Sequence, residues 1–157
     1  MKRTSRIIVL LLAVCAFALV SGLALAESSG TCGENLIWIL DDNGLLTISG
    51  TGDMNDYGYA ETEPGTEIAY NTPWYDLRST ITAVRIEENV TGIGEYAFAE
   101  CTNLAEVFIA NSVTSIRFRA FFSCCGLTEI SISANVTSIG MDAFINCDNL
   151  TRIYVDP

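Results

Sequence analysis

Histidine is missing from this 157-residue sequence, and lysine occurs only once, at Lys2. Histidine is the usual general base and the usual activator of a nucleophilic cysteine, so its absence makes catalysis a weak hypothesis. A pair of carboxylates could serve a glycosidase, but no pair of acids stands out in the sequence. No metal site is predicted, since imidazole ligands are lacking, and no other cofactor is expected.

Basic residues are scarce as well as unevenly placed. Three of the eight precede an apolar run at residues 7–20, and residues 24–26 show the small-x-small pattern of a signal peptidase site. The alternative is an uncleaved membrane anchor, but the run is shorter than the ~20 residues that a helix needs to span a bilayer. We therefore predict a signal peptide at residues 1–26, and a secreted or cell-surface protein with no membrane span after cleavage.

The segment after the predicted cleavage site is strongly acidic. It holds five arginines against 19 acidic residues, a net charge of −14. Such a surface repels phosphate backbones, which argues against a nucleic-acid partner. It favours solubility and cationic partners.

From residue 81 onward the sequence repeats every 23 residues without an insertion. A fixed period of about 20 to 29 residues with buried-type aliphatic residues predicts a solenoid, in which each coil packs its apolar side chains against the next. The repeated columns hold aliphatic residues, then an Ala-Phe pair, then a cysteine. They are Ile81, Leu104, Leu127 and Leu150; Val84, Val107, Ile130 and Ile153; Ile86, Ile109, Ile132 and Val155; Val90, Val113 and Val136; Ile93, Ile116 and Ile139; Ala97, Ala120 and Ala143; Phe98, Phe121 and Phe144; and Cys101, Cys124 and Cys147.

One coil shows how the repeat is expected to fold. Residues 127–133 alternate apolar and polar side chains, which predicts a half-buried strand. A second extended segment at 136–139 follows, Gly140 permits a bend, and residues 141–147 are predicted to form a helical turn. The first strands of successive coils should pair in parallel as one continuous sheet on one face.

The N-terminal part is predicted to be a β-hairpin cap followed by a loop, at residues 27–72. Strands at 35–40 and 45–49 flank an Asn-Gly turn, and the hairpin should cover the strand edge of the end coil. Residues 27–33 are expected to be a mobile polar entry. The solenoid is predicted to span residues 73–157.

Two features lie between the hairpin and the regular repeat. Residues 53–58 weakly match a calcium-binding loop, but Tyr57 replaces an oxygen ligand and Pro64 replaces the closing glutamate, so no metal is predicted. Trp74 and Tyr75 lie 23 residues before Ala97 and Phe98. They are predicted to occupy the same columns as core residues of a degenerate coil.

Five cysteines remain after the leader is removed. Cys101, Cys124 and Cys147 follow the repeat and predict a buried column of thiols, because free cysteine is among the most buried residue types. Three thiols in a column cannot all pair. A disulfide between Cys32 and Cys125 is the alternative left open.

The repeat resembles the BspA-like leucine-rich repeat family. The resemblance is carried by Val-Thr-Ser-Ile-Gly at 136–140, then Ala-Phe, a cysteine, and a leucine at Leu150. Residues 38–74 resemble the N-terminal module that often precedes such repeats in secreted proteins of anaerobic bacteria. The resemblance implies a curved solenoid, secreted or at the cell surface, and for some members adhesion to extracellular-matrix proteins or to cells. Arg117 departs from the pattern, since Gly94 and Gly140 hold its place in the other coils.

Two candidate binding surfaces follow from the predicted fold. Outward-facing positions on the strands should form rows that extend across the sheet, and the deviant coil should place arginines beside aromatic rings. The alternatives are that the sheet aromatics only shield the sheet and that Phe122, beside the second patch, is half buried. The candidate residues are Arg85, Phe108, Arg152 and Tyr154 on the sheet face, and Arg117, Phe118 and Arg119 in the deviant coil.

We therefore predict a mainly β leucine-rich-repeat solenoid of 23-residue coils, with a parallel sheet on one face and an N-terminal hairpin cap. The predicted function is non-catalytic adhesion through the solenoid face to an extracellular protein or glycan. The alternative is a structural spacer, or the N-terminal fragment of a larger surface protein. An open C-terminal coil would also permit self-association, and a carboxylate-dependent glycosidase is the remote alternative.

Overall fold

The structure is a computed structural model that describes residues 28–60 and 69–156. The predicted signal peptide lies outside these residues. The described part is built from short β-strands, with one 3-10 helix at Tyr75–Thr80, and this confirms the mainly β prediction. The strands are β1 Ser28–Gly33, β2 Leu36–Leu40, β3 Leu45–Gly50, β4 Gly52–Asp53, β5 Tyr59–Ala60, β6 Ala69–Tyr70, β7 Ala83–Ile86, β8 Val90–Ile93, β9 Glu106–Ile109, β10 Ser115–Ile116, β11 Glu129–Ser133, β12 Ser138–Ile139 and β13 Arg152–Asp156.

The predicted hairpin is confirmed, and it continues the sheet of the solenoid. Strands β2 and β3 pair antiparallel, and β3 pairs in parallel with β7, which pairs in parallel with β9. Leu46 lies opposite Val84, and Val84 lies opposite Val107. The hairpin and the coils share one hydrophobic core, to which residues on both sides of the predicted boundary at residues 72 and 73 contribute.

The prediction of a mobile entry at 27–33 is wrong for the residues described. Strand β1 pairs antiparallel with β2 and forms the edge of the five-stranded sheet. Its sequence is polar because most of its side chains are at least partly exposed, whereas Cys32 is fully buried. An edge strand that buries only Cys32 therefore has the polar composition that is typical of a loop.

The remaining strands form smaller sheets. Strands β4, β8, β10 and β12 make a parallel sheet from the second extended segment of each coil, and β11 pairs in parallel with β13. Strand β11 lies beside β9 but belongs to a separate sheet. The expected single continuous sheet is therefore divided into a five-stranded and a two-stranded part. Strands β5 and β6 form an antiparallel pair near the loop after the hairpin.

An aromatic stack runs along the core. The rings of Trp74, Phe98, Phe121 and Phe144 follow one another with centroid separations of 5.7, 5.2 and 5.3 Å and interplanar angles of 16°, 23° and 4°. Trp74 is therefore the residue that fills the phenylalanine column. The prediction that Tyr75 would do so is wrong by one position, because Tyr75 begins the 3-10 helix.

The expected helical turn at 141–147 is also wrong. The segment consists of successive turns, and Asp142 and Asn146 both have φ of 59°. A right-handed helix cannot continue through left-handed residues. The turns of neighbouring coils are joined instead by hydrogen bonds across the stack, such as that from the backbone N–H of Phe98 to the carbonyl of Ala120 at 2.8 Å.

The predicted thiol column is confirmed. Cys101, Cys124 and Cys147 are buried and free. The thiol of Cys124 donates a hydrogen bond to the carbonyl of Phe98 at 3.1 Å, and Cys147 repeats this contact one coil later with Phe121, at 3.0 Å. Each sulfur therefore gives a second hydrogen bond to a carbonyl oxygen that already accepts a backbone N–H within its own turn. The alternative pair Cys32 and Cys125 is not bonded in the structure, where both thiols are free.

Candidate functional site

The first strands of successive coils are β7, β9, β11 and β13. Their outward-facing positions form the rows that the repeat predicts. Arg85 lies opposite Phe108 in the β7–β9 pair, and Ser131 lies opposite Tyr154 in the β11–β13 pair. The second row is also in register, with Glu129 opposite Arg152. These positions alternate with buried column residues along each strand, because successive side chains of a strand point to opposite faces.

Phe108 is the most prominent feature of this face. Its side chain is 48% exposed, and the guanidinium carbon of Arg85 lies 5.3 Å from the centroid of its ring. This is within the range of a cation–π interaction. The two side chains border an open groove of about 580 Å³, here called the Phe108 groove. It is lined by Arg85, Ile86, Glu87, Glu88, Asn89, Phe108, Ile109 and Ala110.

Arg152 and Tyr154 are exposed on β13, the last of the described strands. Arg152 Nη1 lies 3.2 Å from the hydroxyl oxygen of Tyr154 and 3.4 Å from a carboxylate oxygen of Glu129. The ring of Tyr154 is 44% exposed. This pair lies on β13, in the two-stranded part of the sheet, so it is not part of the Phe108 groove.

Arg117 has partners within the chain. Its Nη1 lies 2.8 and 2.9 Å from the two carboxylate oxygens of Asp56, and its Nη2 forms an ion pair with Asp53. Burial raises the pKa of Asp56, but the hydrogen bonds from Arg117 and from the backbone N–H of Glu95 outweigh it and hold the pKa below its usual value. The guanidinium therefore joins the N-terminal module to the deviant coil.

This arrangement also accounts for the weak calcium-loop pattern at residues 53–58. Asp53 and Asp56, the two carboxylates of that pattern, both pair with Arg117. Across the described part of the chain, acidic and cysteine side chains form no group of three or more able to hold a metal ion.

Arg119 lies beside the aromatic rings, as the sequence predicted. Its guanidinium carbon is 4.9 Å from the Phe118 ring centroid and 5.7 Å from that of Phe122, while its Nη2 lies 3.1 Å from a carboxylate oxygen of Asp142. Phe118 and Phe122 are both half buried, which is the alternative that the sequence left open for Phe122. Arg119 is thus stacked against rings of its own coil and ion-paired with Asp142 of the next coil.

The acidic partners of these arginines were missed by sequence reasoning. The sequence suggests Asp53 and Asp56 only as possible metal ligands, and no role is predicted for Asp142. One signal was available: an arginine that replaces a glycine in an otherwise regular and acidic solenoid should have acidic neighbours. The repeat period could not identify Asp53 and Asp56, since the N-terminal loop lies outside the period, whereas Asp142 lies one period of 23 residues after Arg119 and could have been found.

The buried thiols do not have the properties of nucleophiles. Burial raises the pKa of Cys32 to about 12 and that of Cys101 to about 12. The hydrogen bond with Cys147 and burial both raise the pKa of Cys124. A thiol attacks as the thiolate, so these three groups are inert at neutral pH.

Comparison with known proteins agrees with this architecture. Residues 71–157 match the family described as BspA type Leucine rich repeat region (6 copies). The chain belongs to this family. The match covers more than half of the 157 residues, and it confirms the resemblance drawn from the sequence. None of the curated proteins is significantly similar to the chain in sequence.

Solved structures of bacterial leucine-rich repeat proteins resemble this BspA-type chain. One, from Eubacterium ventriosum ATCC 27560, is 28% identical over 83% of this chain and 44% of that chain, with a TM-score of 0.54. Another, from Bacteroides capillosus ATCC 29799, is 23% identical over 83% of this chain and 100% of that chain, with a TM-score of 0.47. The chain thus spans less than half the length of the Eubacterium protein. In the described residues, the structure contains no helix that is long and apolar enough to cross a bilayer.

Proposed function

We propose that the chain is an extracellular, non-catalytic adhesion module that holds a protein ligand in the Phe108 groove. One observation carries the proposal: an aromatic ring that is 48% exposed stands beside an arginine on the regular face of a solenoid. Exposed aromatic and arginine side chains are enriched at the centres of protein interfaces. Export is supported by the basic and apolar leader at residues 1–26.

The chemistry of the groove favours a ligand with both apolar and basic side chains. Phe108 and Ile109 offer apolar surface, while Glu87 and Glu88 border the same groove. The segment after the leader has a net charge of −14, which attracts a basic partner over a distance set by the ionic strength. A basic segment of an extracellular protein fits this combination better than an acidic glycan does.

Three observations support a non-catalytic role. The chain has no histidine, and burial keeps Cys32 and Cys101 protonated at neutral pH. The carboxylates of Asp53 and Asp56 are engaged with Arg117, so they are not available as a catalytic pair.

The proposal is tested by measuring binding to a set of immobilised extracellular-matrix proteins. Replacing Phe108 or Arg85 with Ala should weaken binding roughly tenfold or more, as expected for an interface anchor. Phe118→Ala is the matched control, because Phe118 is an aromatic residue next to an arginine on a different surface.

Three results of the binding measurement would contradict the proposal, each in a different way. If Phe118→Ala weakens binding and Phe108→Ala does not, the site lies in the deviant coil and the groove is the wrong surface. Binding only to glycans would overturn the ligand class. If none of the proteins binds, the result favours the alternative of a structural spacer.

A further inference from the structure

Arg85 differs from the other arginines that the structure describes. Each of the other four forms an ion pair with an acidic side chain of the chain itself; these are Arg78, Arg117, Arg119 and Arg152. Within the described residues Arg85 forms no ion pair, although the sequence holds 19 acidic residues against eight basic ones. Its guanidinium instead lies over the ring of Phe108. A cation–π contact does not use an N–H group as a donor to an acceptor, so the donors of Arg85 can bind an anionic group of a ligand.

Two glutamates border the same groove. Glu87 follows Arg85 by two residues, and Glu88 lies in a turn that is closed by a hydrogen bond from the backbone N–H of Val90 to the carbonyl of Glu87, at 3.3 Å. Both glutamates are exposed, and in the described part of the chain neither pairs with a basic side chain. The Phe108 groove therefore presents one cation and two anions that have no partner of opposite charge.

The 23-residue repeat indicates that none of these three charges is needed to build a coil. In the next two coils, which form the corresponding strands β9 and β11, all three positions hold uncharged residues. These residues are Phe108 and Ser131 in the place of Arg85, Ala110 and Ser133 in the place of Glu87, and Asn111 and Ala134 in the place of Glu88. The charges of the first coil therefore serve something other than the fold.

We propose that Arg85 binds a carboxylate of the ligand while Glu87 and Glu88 bind a basic side chain. The groove then selects an extended peptide segment in which an acidic and a basic residue are two positions apart. Alternate side chains of an extended chain point the same way and lie about 6.5 Å apart, which is the spacing expected between Arg85 and Glu87. The inference rests on the proposed function, because it assigns a ligand class to the Phe108 groove.

The charge of the groove favours a carboxylate over a phosphate as the anionic group. A phosphate carries about −1.5 to −2 charges at neutral pH, and the two glutamates repel it more strongly than they repel a carboxylate. Arginine can bind a carboxylate through two parallel N–H donors. The single acid of the ligand is therefore expected to be aspartate or glutamate.

Synthetic peptides fixed to a biosensor surface test this ligand class. One probe contains Leu-Ser-Asp-Ser-Lys between glycines, in which leucine can contact Phe108, and a second probe has the reverse order. The wild-type chain should bind at least one of them, and changing its Asp to Asn or its Lys to Gln should weaken binding about fivefold. Failure of both probes to bind overturns the inference.

Two further peptides test the spacing and the anion. A peptide with Asp and Lys adjacent should bind as weakly as the Asn peptide, because neighbouring side chains of an extended segment point to opposite sides. A peptide with phosphoserine in place of Asp should bind less tightly than the original. Equal binding of the adjacent peptide contradicts the two-residue spacing, and tighter binding of the phosphopeptide contradicts the carboxylate.

Charge exchange on the protein identifies the residues. Arg85→Glu should reverse the preference, so that a peptide with Lys in place of Asp binds better than the original peptide. Replacing both Glu87 and Glu88 with Gln should remove the dependence on the peptide's Lys. Asp42→Asn is the matched control for a lost negative charge, because Asp42 is exposed in the hairpin turn and does not line the groove. If folded Arg85→Glu still prefers the Asp peptide, Arg85 is not the residue that binds the anion.

The peptide results can be separated from those of the matrix-protein assay. If Phe108→Ala weakens binding to a matrix protein but Arg85→Glu does not change the preferred peptide, the groove is the binding site and the assigned ligand class is wrong. If a peptide binds as expected and no matrix protein binds, the ligand chemistry is right and adhesion to the matrix is wrong.

Discussion

Arg117 holds Asp56, a residue 61 positions earlier, through contacts of 2.8 and 2.9 Å between one guanidinium nitrogen and the two carboxylate oxygens. Asp53 pairs with the other end of the same guanidinium. The arginine replaces the glycine that the other coils have at this position. The break in the repeat is therefore a clamp that fixes the N-terminal module to the solenoid.

Removing the clamp should destabilise the chain modestly. Arg117→Gln is expected to lower the free energy of unfolding by about 1 kcal/mol, because the ion pairs are partly exposed to solvent. Chemical denaturation measures the loss, and a double-mutant cycle with Asp56→Asn isolates the pair. If the two losses simply add, Arg117 and Asp56 are not coupled and the clamp does not contribute.

The clamp should also weaken in acid. The pKa of Asp56 is depressed in the folded state, so its contribution to stability is full above the unfolded value, about 3.9. It is lost as the pH falls through the lower folded value. The difference in unfolding free energy between the wild type and Arg117→Gln should therefore be constant near neutral pH and shrink below about pH 4. A difference that stays constant or grows in acid contradicts this assignment.

The aromatic stack should be less sensitive to substitution at its end than in its middle. Phe121 is fully buried between two rings, at 5.2 and 5.3 Å, whereas Phe144 is only partly buried and is the last ring of the stack. Phe121→Ala should cost about 3–5 kcal/mol. Phe144→Ala should cost less, because fewer buried contacts are lost. Equal losses in denaturation experiments would mean that the end ring is as well packed as the central one.

The periodic part of the core could be predicted because each coil repeats the same inward positions. Val84, Val107 and Ile130 are all buried where the 23-residue period places them. The period says nothing about how a coil turns, however. Left-handed residues such as Asp142 and Asn146 replace the expected helical turn, and neither is a glycine that would have marked the conformation in the sequence.

The contacts that the period could not predict involve the N-terminal module. The 23-residue spacing puts Trp74 one column away from its actual position, because the 3-10 helix that starts at Tyr75 changes the spacing before the first regular coil. The partners of Arg117 come from a loop that docks on the solenoid from outside the repeat. The candidate row of Arg85 and Phe108, in contrast, could be predicted, because outward positions obey the same register as buried ones.

Gly94 should tolerate no side chain, in contrast to Gly58. A Cβ atom on Gly94 would lie 1.8 Å from the carbonyl oxygen of Asn55, whereas a Cβ on Gly58 would meet nothing within 4 Å. Gly94→Ala must push the N-terminal loop away and should cost about 1–3 kcal/mol. Gly58→Ala is the matched control and should leave the thermal midpoint almost unchanged. Similar midpoints for the two variants would show that the loop is not packed against Gly94.

The thiols should differ in their reactivity according to their burial. Cys125 is the half-buried member of the five described cysteines, while Cys32, Cys101, Cys124 and Cys147 are buried. Burial also raises the pKa of Cys32 and Cys101 to about 12, so few of these thiols are ionised at neutral pH. Titration of the native chain with a coloured disulfide reagent should therefore show one fast thiol, and Cys125→Ser should abolish the fast phase.

Unfolding in denaturant should make all of the remaining thiols react at a similar rate, because the burial that protects them is then lost. Cys147, near the end of the column, should be the next to react in the native chain, because it is 8% exposed whereas the other three buried thiols are 0% exposed. Mass spectrometry of the modified peptides identifies the order. Early modification of Cys101, the thiol at the start of the column, would contradict the buried ladder.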